Sequence, residues 1–375
     1  MEIRRAACCV EIYIVLRQGQ AQIKENFKSH FAREGDMKAS VMVAPETLEL
    51  RDIPDVKPSL RDVVIKVKCV GICGTDVQVY RGTIPAKPNL ILGHEHCGEV
   101  AEIGPGVNNC QPGDYVSSGG AWGCGKCSYC KRGEMSYCQS PNSLARTTNG
   151  SLAEYVVVPA DIVYALDKGV SPTQGQGVIG VGTGLRAVSR AGVKVGDRVL
   201  LIGPGYGGLI MVQLCKLSGA RAGIVGTRAE RLAIADKVGA DFTDNIKDNP
   251  NWEQELLARE APTGFDVVIE ASGTVAGLLS ATRMVKKGGT VLEFGTSFDT
   301  VSGIPQKDFY YRELSIVGSK GGWGFYNTAT DLLNRHAINI DALITHCYPL
   351  AKTAEAFDVM SRRLDGVLRA AVFCS

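Results

Sequence analysis

One stretch near the middle of the chain limits the possible fold more than any other. Arg198–Ile202 is an apolar run typical of a buried strand, and the motif GPGYGG follows it directly. A helical pattern and a second apolar strand come next. In such a βαβ unit the glycines let a pyrophosphate approach the helix N-terminus and its dipole. The stretch therefore predicts a dinucleotide-binding turn built on Gly203, Gly205 and Gly208.

The alternation of strand and helix continues beyond this turn. Helical patterns cover residues 228–238 and 275–285, and apolar strands cover 265–269, 290–294 and 314–317. Strands of this kind are typical of a parallel sheet that is covered by helices on both faces. The sequence thus predicts an α/β fold with a doubly wound parallel sheet, a Rossmann domain, over residues 185–324.

The remainder of the chain has a different pattern. Residues 37–184 contain short β-runs separated by Gly and Pro, which indicates a β-rich, partly barrel-like domain. Residues 325–375 contain two helical segments and an apolar end, and we expect them to return to this domain. A chain of 375 residues is expected to form two domains, with a ligand in the cleft between them. Residues 1–36 match neither pattern and are interpreted as an N-terminal extension outside the core.

Charge and cysteine content exclude several classes of protein. The net charge of +2 offers no electrostatic reason to expect nucleic acid or a membrane surface as a partner. No apolar run approaches the ~18 residues that a membrane-spanning helix needs. Thirteen cysteines without a secretory signal favour a cytoplasmic protein with reduced thiols, in which clustered cysteines bind metal.

A cysteine cluster lies inside the β-rich region. Cys124, Cys127, Cys130 and Cys138 have the spacing x2, x2, x7, which suits a closed tetrahedral zinc site with no open position. The alternative is four unrelated free thiols. A nucleic-acid-binding zinc ribbon would instead have two well-separated CxxC pairs. We therefore predict a structural zinc ion.

A second set of possible metal ligands lies upstream. Cys73 lies in the motif GICGTD, and His94 and Glu95 lie in GHE. A thiol, an imidazole and a carboxylate together suit zinc, and neighbouring glycines permit the sharp turns that let such ligands converge. These three residues form a second predicted zinc site.

Taken together, these motifs resemble the zinc-dependent medium-chain dehydrogenase/reductase family, which includes alcohol, sorbitol and threonine dehydrogenases. The resemblance rests on GICGTD, GHE, the four-cysteine segment, AEYVVVP and GPGYGG, and it covers about residue 37 to the C-terminus. It implies a GroES-like catalytic domain, a Rossmann domain, and assembly into homodimers or homotetramers. The implied activity is zinc-dependent hydride transfer between a nicotinamide cofactor and a secondary alcohol or polyol, or the matching ketone.

The resemblance also assigns roles to individual residues. It implies two zinc ions per chain, one catalytic and one structural. By this resemblance the catalytic zinc ligands are Cys73, His94 and Glu95. Asp76 orients a ligand imidazole, and the Thr75 hydroxyl passes on the alcohol's proton. Thr183 lies beside the nicotinamide, and Arg369 contacts the pyrophosphate.

Two departures from the family pattern concern the catalytic zinc. Ile179 aligns with the position where many alcohol dehydrogenases supply a further ligand, and an isoleucine cannot bind zinc. The site then depends on Cys73, His94, Glu95 and water, as in sorbitol dehydrogenase. Gln78 occupies the position of a relay histidine and cannot titrate near neutral pH, so protons are expected to leave through water.

A third departure concerns the cofactor. The second Rossmann strand normally ends in a carboxylate that binds the ribose of NAD, but here it runs into Thr227 and Arg228. No carboxylate repels a 2′-phosphate, and Thr227, Arg228 and Arg231 are candidates to bind one. We therefore favour NADP(H) over NAD(H). The alternative is that Arg228 simply begins a surface helix.

Two other functions remain open from the sequence. The same fold occurs in zinc-free quinone or enoyl reductases, which lack both sets of metal ligands. A non-catalytic nucleotide-binding redox sensor is the other alternative, with Ile179 as a sign of a decayed site. Metal content distinguishes the three: two zinc ions, none or one per chain. The substrate is not predicted, although Trp122, Trp323, Phe325 and Tyr326 are candidates to line its site, and His96 lies next to the ligand pair.

Overall fold

The computed structural model describes residues 35–296 and 299–374. The first element, strand β1, spans Asp36–Ala44, which confirms the strand predicted from Met37. The predicted extension lies almost entirely outside the described residues.

Two sets of elements make up the described fold. The strands are β1 (Asp36–Ala44), β2 (Thr47–Pro54), β3 (Asp62–Gly71), β4 (Leu90–Ile91), β5 (Glu95–Ile103), β6 (Tyr115–Ser118), β7 (Ala121–Trp122), β8 (Asn142–Ser143), β9 (Tyr155–Pro159), β10 (Val163–Ala165), β11 (Arg198–Ile202), β12 (Arg221–Gly226), β13 (Thr243–Asn245), β14 (Phe265–Glu270), β15 (Val285–Glu293), β16 (Ser315–Gly318), β17 (His346–Pro349) and β18 (Ala370–Phe373). The α-helices are α1 (Gly74–Tyr80), α2 (Ser128–Lys131), α3 (Pro172–Gly175), α4 (Val178–Ala191), α5 (Tyr206–Leu217), α6 (Ala229–Lys237), α7 (Trp252–Glu260), α8 (Val275–Met284), α9 (Gln306–Tyr311), α10 (Tyr326–Asn334) and α11 (Thr353–Arg362). Short 3₁₀ helices span Met135–Tyr137, Ala160–Ile162, Asp341–Leu343 and Leu350–Lys352.

The predicted Rossmann sheet is present. Six strands pair in the order β13-β12-β11-β14-β15-β16, and every pairing is parallel. Alternate residues of β11 pack into different cores: Val199 and Leu201 lie with the apolar residues of α5, and Leu200 and Ile202 lie with those of α8. Because both faces are covered, the strand sequence is apolar throughout.

The predicted β-rich part consists mainly of a seven-stranded sheet. Its strands run in the order β10-β6-β5-β3-β18-β17, with β9 also paired to β3. The end of the chain returns to this sheet, since β18 pairs antiparallel with β3 and parallel with β17. A smaller sheet of β2, β1 and β4 covers one side. This arrangement confirms the expected return of the C-terminal segment.

The described part of the chain contains no helix that is both long and apolar enough to cross a lipid bilayer.

Candidate active site

Strand pairing brings the three predicted ligands of the catalytic zinc together. Cys73 lies between the end of β3 and the start of α1, and His94 and Glu95 lie at the start of β5. The antiparallel register of β3 and β5 places Gly71 opposite Glu95. The thiol sulfur, an imidazole nitrogen and a carboxylate oxygen all lie within 4.8 Å of one another.

Gly93 makes this convergence possible. Its backbone has φ of +86°, a left-handed conformation that favours glycine. A Cβ atom at this position would lie 2.9 Å from side-chain atoms of both Leu152 and Val70. The glycine before His94 is thus required by backbone conformation and by packing.

Asp76 orients the imidazole of His94. Its carboxylate is 1% exposed, lies 3.0 Å from His94 Nδ1, and accepts hydrogen bonds from the backbone N–H groups of Cys73 and Gly93. Burial opposes ionisation of this carboxyl, but the charge of His94 and these hydrogen bonds hold the pKa of Asp76 below its usual value. A hydrogen bond at Nδ1 leaves Nε2 available to a metal. The structure therefore places Asp76 where its predicted role requires it.

Thr75 lies on the open side of the same imidazole. Its Oγ1 is 3.5 Å from His94 Nε2, and the residue is exposed. Because the hydroxyl is next to the ligand atom and accessible, a substrate hydroxyl bound there would lie close to it. This position agrees with the predicted proton-transfer role of Thr75.

Glu95 has two partners. One carboxylate oxygen lies 3.9 Å from His94 Nε2, and the other accepts a hydrogen bond from the guanidinium of Arg369. Both side chains of this ion pair are almost fully buried. Burial lowers the pKa of Arg369, whereas Glu95 raises it, and the net result is a pKa above the usual arginine value. Arg369 is predicted from the sequence to contact the pyrophosphate, and its ion pair with Glu95 was not predicted.

Arg369 also connects the metal site with the glycine-rich turn. Its guanidinium lies over the ring of Tyr206, 4.1 Å from the ring centroid, and Tyr206 belongs to the GPGYGG motif. A cation over an aromatic face is favourable, especially away from water. The predicted pyrophosphate contact of Arg369 stays a prediction, but the side chain does lie beside the turn.

Ile179 lies beside the metal ligands. It is 8% exposed on α4. A Cβ atom at Gly120 would be 3.0 Å from Ile179 Cδ1 and 3.3 Å from His94 Cδ2, so the two side chains are neighbours. Ile179 thus brings an apolar side chain, with no donor atom, next to the His94 ring. The residues present fit zinc with three protein ligands and an open position.

The four predicted cysteine ligands also converge. The Sγ atoms of Cys124, Cys127, Cys130 and Cys138 lie within 4.8 Å of one another, and their segment is closed at its base by pairing of β7 with β8. Backbone N–H groups of Cys130 and Gln139 lower the pKa of Cys127 to about 6, which favours the thiolate. Four thiol groups this close fit a closed structural zinc site. We refer to residues 123–138 as the cysteine lobe.

The three predicted glycines of the nucleotide turn have different structural roles. Gly203 has φ of +110°, and Gly205 has open space where a Cβ would lie. A Cβ atom at Gly208 would be 2.3 Å from the carbonyl oxygen of Gly203, so α5 packs directly on the end of β11. One glycine permits the turn, one leaves room for phosphate, and one allows close packing of helix on strand.

Several buried polar atoms near the metal ligands and the glycine-rich turn lack a full set of hydrogen bonds among the described residues. Arg369 Nε and Trp323 Nε1 have no partner, and Gln176 Oε1 and Tyr206 Oη have none other than each other's side chain. Thr183, predicted to lie beside the nicotinamide, is close to this group, since a Cβ atom at Gly322 would be 2.7 Å from its backbone nitrogen. Buried polar atoms are normally satisfied, so a bound polar ligand would complete this cleft. Tyr206 lies within the glycine motif, whereas no sequence signal identified Gln176.

The predicted 2′-phosphate residues lie at the end of β12 and the start of α6. Thr227 is exposed and Arg228 is half-buried. Arg231 donates a hydrogen bond of 2.7 Å to the carbonyl oxygen of Val367. Burial and the charges of Arg228 and Arg363 lower the pKa of Arg231 to about 10. Arg363 was not predicted from the sequence.

His96 and the candidate aromatic residues have mainly packing contacts. His96 is fully buried, its Nε2 lies 3.4 Å from Ser118 Oγ, and burial lowers its pKa to about 4. Tyr326 packs on Gly182 and Tyr164. Trp122 lines an open groove between β1 and β9.

Comparison with known proteins identifies the family. The GroES-like domain of alcohol dehydrogenases matches residues 59–168, and the zinc-binding dehydrogenase domain matches residues 208–335. L-threonine 3-dehydrogenase of Pyrococcus furiosus is 35% identical over 332 residues, covering 86% of this chain and 94% of the relative. Sorbitol dehydrogenase of Halalkalibacterium halodurans is 30% identical over 329 residues, covering 86% and 95%.

Solved structures agree with this result. A protein described as a zinc-binding dehydrogenase from Sinorhizobium meliloti 1021, bound to NADP, has a TM-score of 0.86 and 30% identity, covering 91% of this chain and 100% of that chain. The chain belongs to the zinc-dependent medium-chain dehydrogenase family. It is a zinc-type alcohol or polyol dehydrogenase, which confirms the predicted class of reaction.

Proposed function

We propose that this chain is an NADP(H)-dependent dehydrogenase that holds its catalytic zinc on Cys73, His94 and Glu95. The observation that carries the proposal is the convergence of these ligands within 4.8 Å beside Arg369, which stacks on the nucleotide turn. This arrangement supports a site in which an alcohol carbon lies close to a bound cofactor.

Each residue of the site has a separate role in the proposed reaction. When bound, zinc supplies a Lewis acid that favours loss of the alcohol's proton. Thr75 accepts and passes on that proton from its exposed position beside His94. Asp76 holds the imidazole in one orientation, and Glu95 is held in turn by Arg369. Gln78 does not titrate, so the proton leaves through water.

The preference for NADP(H) is supported by the residues after β12. Thr227 and Arg228 stand where a carboxylate would repel a 2′-phosphate, and Arg231 lies one helical turn further on. The related Sinorhizobium meliloti structure is bound to NADP. A 26% identical alcohol dehydrogenase from Escherichia coli CFT073 is complexed with NADH, so the fold accepts either cofactor and these local residues decide between them.

The substrate class is proposed from relatives. The similar proteins include threonine, sorbitol and D-arabinitol dehydrogenases. In the Pyrococcus furiosus, Halalkalibacterium halodurans and Uromyces fabae proteins the named substrate is a polyol or a hydroxy amino acid with a secondary hydroxyl group. We propose the same class here, oxidised to the matching ketone.

A substrate panel tests this function. Polyols, amino alcohols and simple secondary alcohols are assayed with NADP and NAD on zinc-loaded protein, and kcat/KM is measured for each pair. We expect oxidation of at least one secondary alcohol, with a higher kcat/KM for NADP. Activity with NAD alone would contradict the proposed cofactor, and inactivity across the panel would contradict the proposed substrate class.

The domain boundaries, the assembly and the cellular location are also proposals. We propose a catalytic domain of residues 37–184 and 325–375, a Rossmann domain of residues 185–324, and a homodimer or homotetramer in the cytoplasm. No nucleic acid or membrane partner is proposed. Size-exclusion chromatography with light scattering tests the assembly.

A further inference from the structure

The loop that follows α11 has an unusual backbone. Arg363, Asp365 and Gly366 have φ values of 57°, 50° and 68°, so the chain reverses sharply at this point. Arg363 and its neighbours up to Gly366 are exposed. Such a loop presents its side chains to the solvent from a fixed backbone position.

This loop packs against the start of α6. Arg231 donates a 2.7 Å hydrogen bond to Val367 O, and a Cβ atom at Gly366 would lie 3.9 Å from Glu230 Cγ. The loop is part of the C-terminal segment, whereas α6 follows the second strand of the Rossmann sheet. The contact therefore joins two parts of the chain that are far apart in sequence.

Three arginines lie on the segments that form this contact. The backbone N–H of Arg231 bonds the carbonyl oxygen of Arg228, and Arg363 belongs to the loop whose Val367 carbonyl accepts from the Arg231 side chain. The charges of Arg228 and Arg363 both lower the pKa of Arg231. Across residues 35–296 and 299–374, none of the three forms an ion pair with a carboxylate, and Arg231 Nε is buried without a hydrogen-bond partner. Glu230 is a nearby acid, and its negative charge raises the pKa of Arg231. Concentrated positive charge with little compensation attracts an anion.

We propose that Arg363 completes, together with Arg228 and Arg231, a three-arginine site for the 2′-phosphate of NADP(H). The inference rests on the proposed cofactor preference and adds a ligand from outside the Rossmann domain. A phosphate group offers several oxygens to guanidinium groups, which bind such anions in bidentate geometry. NADH has an uncharged 2′-hydroxyl at this position, so the three arginines select between the cofactors.

Binding measurements on the zinc-loaded protein test Arg363 directly. Dissociation constants are measured by calorimetry for NADPH, NADH, 2′,5′-ADP and 5′-AMP. We expect Arg363→Ala to weaken NADPH and 2′,5′-ADP about tenfold, because a charge-assisted hydrogen bond is lost, and to leave NADH and 5′-AMP unchanged. Arg363→Asn should give the same result, since Asn accepts left-handed backbone and preserves the loop.

Arg362→Ala is the matched control. This neighbouring arginine bonds Asp358 on its own helix at 2.7 Å, so its loss removes the same charge without touching the proposed site. If wild type prefers NADPH but Arg363→Ala changes both cofactors equally or neither, the inference is wrong and the proposed function stands. If wild type prefers NADH, the proposed cofactor preference is wrong and the inference fails with it.

Discussion

At the residue scale, Glu95 is the side chain on which we expect the proposed metal site to depend most. One of its oxygens faces the other zinc ligands, and the other bonds a buried arginine. Ile179 offers no donor atom at its own position on α4 to replace it. A buried ion pair that loses one partner leaves an uncompensated charge, which is costly.

Removal of this carboxylate should affect both metal and stability. We expect Glu95→Ala to lose most of the catalytic zinc and keep the zinc of the cysteine lobe. The free energy of unfolding should fall by about 3 kcal/mol, because Arg369 remains buried without its partner. Zinc per chain is measured by mass spectrometry of metals, and stability by urea unfolding. Retention of two zinc ions would contradict the assignment.

Asp76 should act through His94 rather than by contact with substrate. Asp76→Asn removes the charge that fixes the imidazole, and we expect zinc affinity at this site to fall about 10- to 100-fold. Competition with a chelator measures the affinity. Asp161→Asn, which removes a carboxylate from an exposed pair with Arg61, is the control and should have no effect. Equal zinc affinity in both variants would show that Asp76 is not an orienting residue.

The three candidate zinc ligands could be selected from the sequence, but their supporting contacts could not. Cys73, His94 and Glu95 lie in short glycine-containing motifs that a single sequence reveals. Arg369 lies 274 positions from Glu95, and nothing local marks the pair. Long-range pairings of this kind depend on how strands return to a sheet.

At the scale of elements, the cysteine lobe supports α4. Tyr137 of the lobe lies 3.4 Å from guanidinium nitrogens of both Arg186 and Arg190. These arginines also donate hydrogen bonds of 2.6 Å to the carbonyl oxygens of Lys320 and Gly318. The lobe is thus connected through α4 to the segment after β16.

Loss of one lobe ligand tests its structural role. We expect Cys127→Ser to reduce zinc from two ions to one per chain and to lower the melting temperature by several degrees, because metal binding stabilises such lobes. Cys347→Ser is the control, since Cys347 is exposed and lies outside both metal clusters. Catalytic zinc should be retained. An unchanged zinc content in Cys127→Ser would rule out the four-cysteine site.

The periodicity of apolar residues predicted the longer helices and strands but not the short ones. β11, α5 and β14 have strong patterns, and the structure confirms them within a few residues. β13 and α7 were not predicted because one is short and the other is largely polar. The order of the strands also could not be read directly, since pairing across the sheet leaves no local pattern.

At the scale of the whole molecule, stability should vary with pH through Glu293. Burial and the neighbouring Glu270 raise the pKa of Glu293 to about 7, so the folded protein retains a proton that the unfolded chain releases near 4.5. Stability from this group is therefore fully present below about pH 4.5 and is lost as pH rises to about 7. Because the side chain is partly exposed, we expect a loss of about 1 kcal/mol.

Glu293→Gln should remove this dependence. The variant should be about as stable as wild type at pH 5 and about 1 kcal/mol more stable at pH 8, because a neutral amide replaces the charged carboxylate. Urea unfolding of both proteins across this range measures the difference. Parallel stability profiles would show that Glu293 titrates normally in the folded protein.

The short run from Arg363 to Arg369 has a consequence for the two ligands of the enzyme. Arg231 bonds the carbonyl of Val367, Thr345 Oγ1 accepts hydrogen bonds from the N–H groups of Leu368 and Arg369, and the Arg369 side chain bonds Glu95. A continuous backbone therefore runs from the proposed 2′-phosphate site to the partner of Glu95, a proposed zinc ligand. Thermodynamic linkage between two binding sites is reciprocal. If bound NADPH changes the affinity for zinc by some factor, bound zinc changes the affinity for NADPH by the same factor.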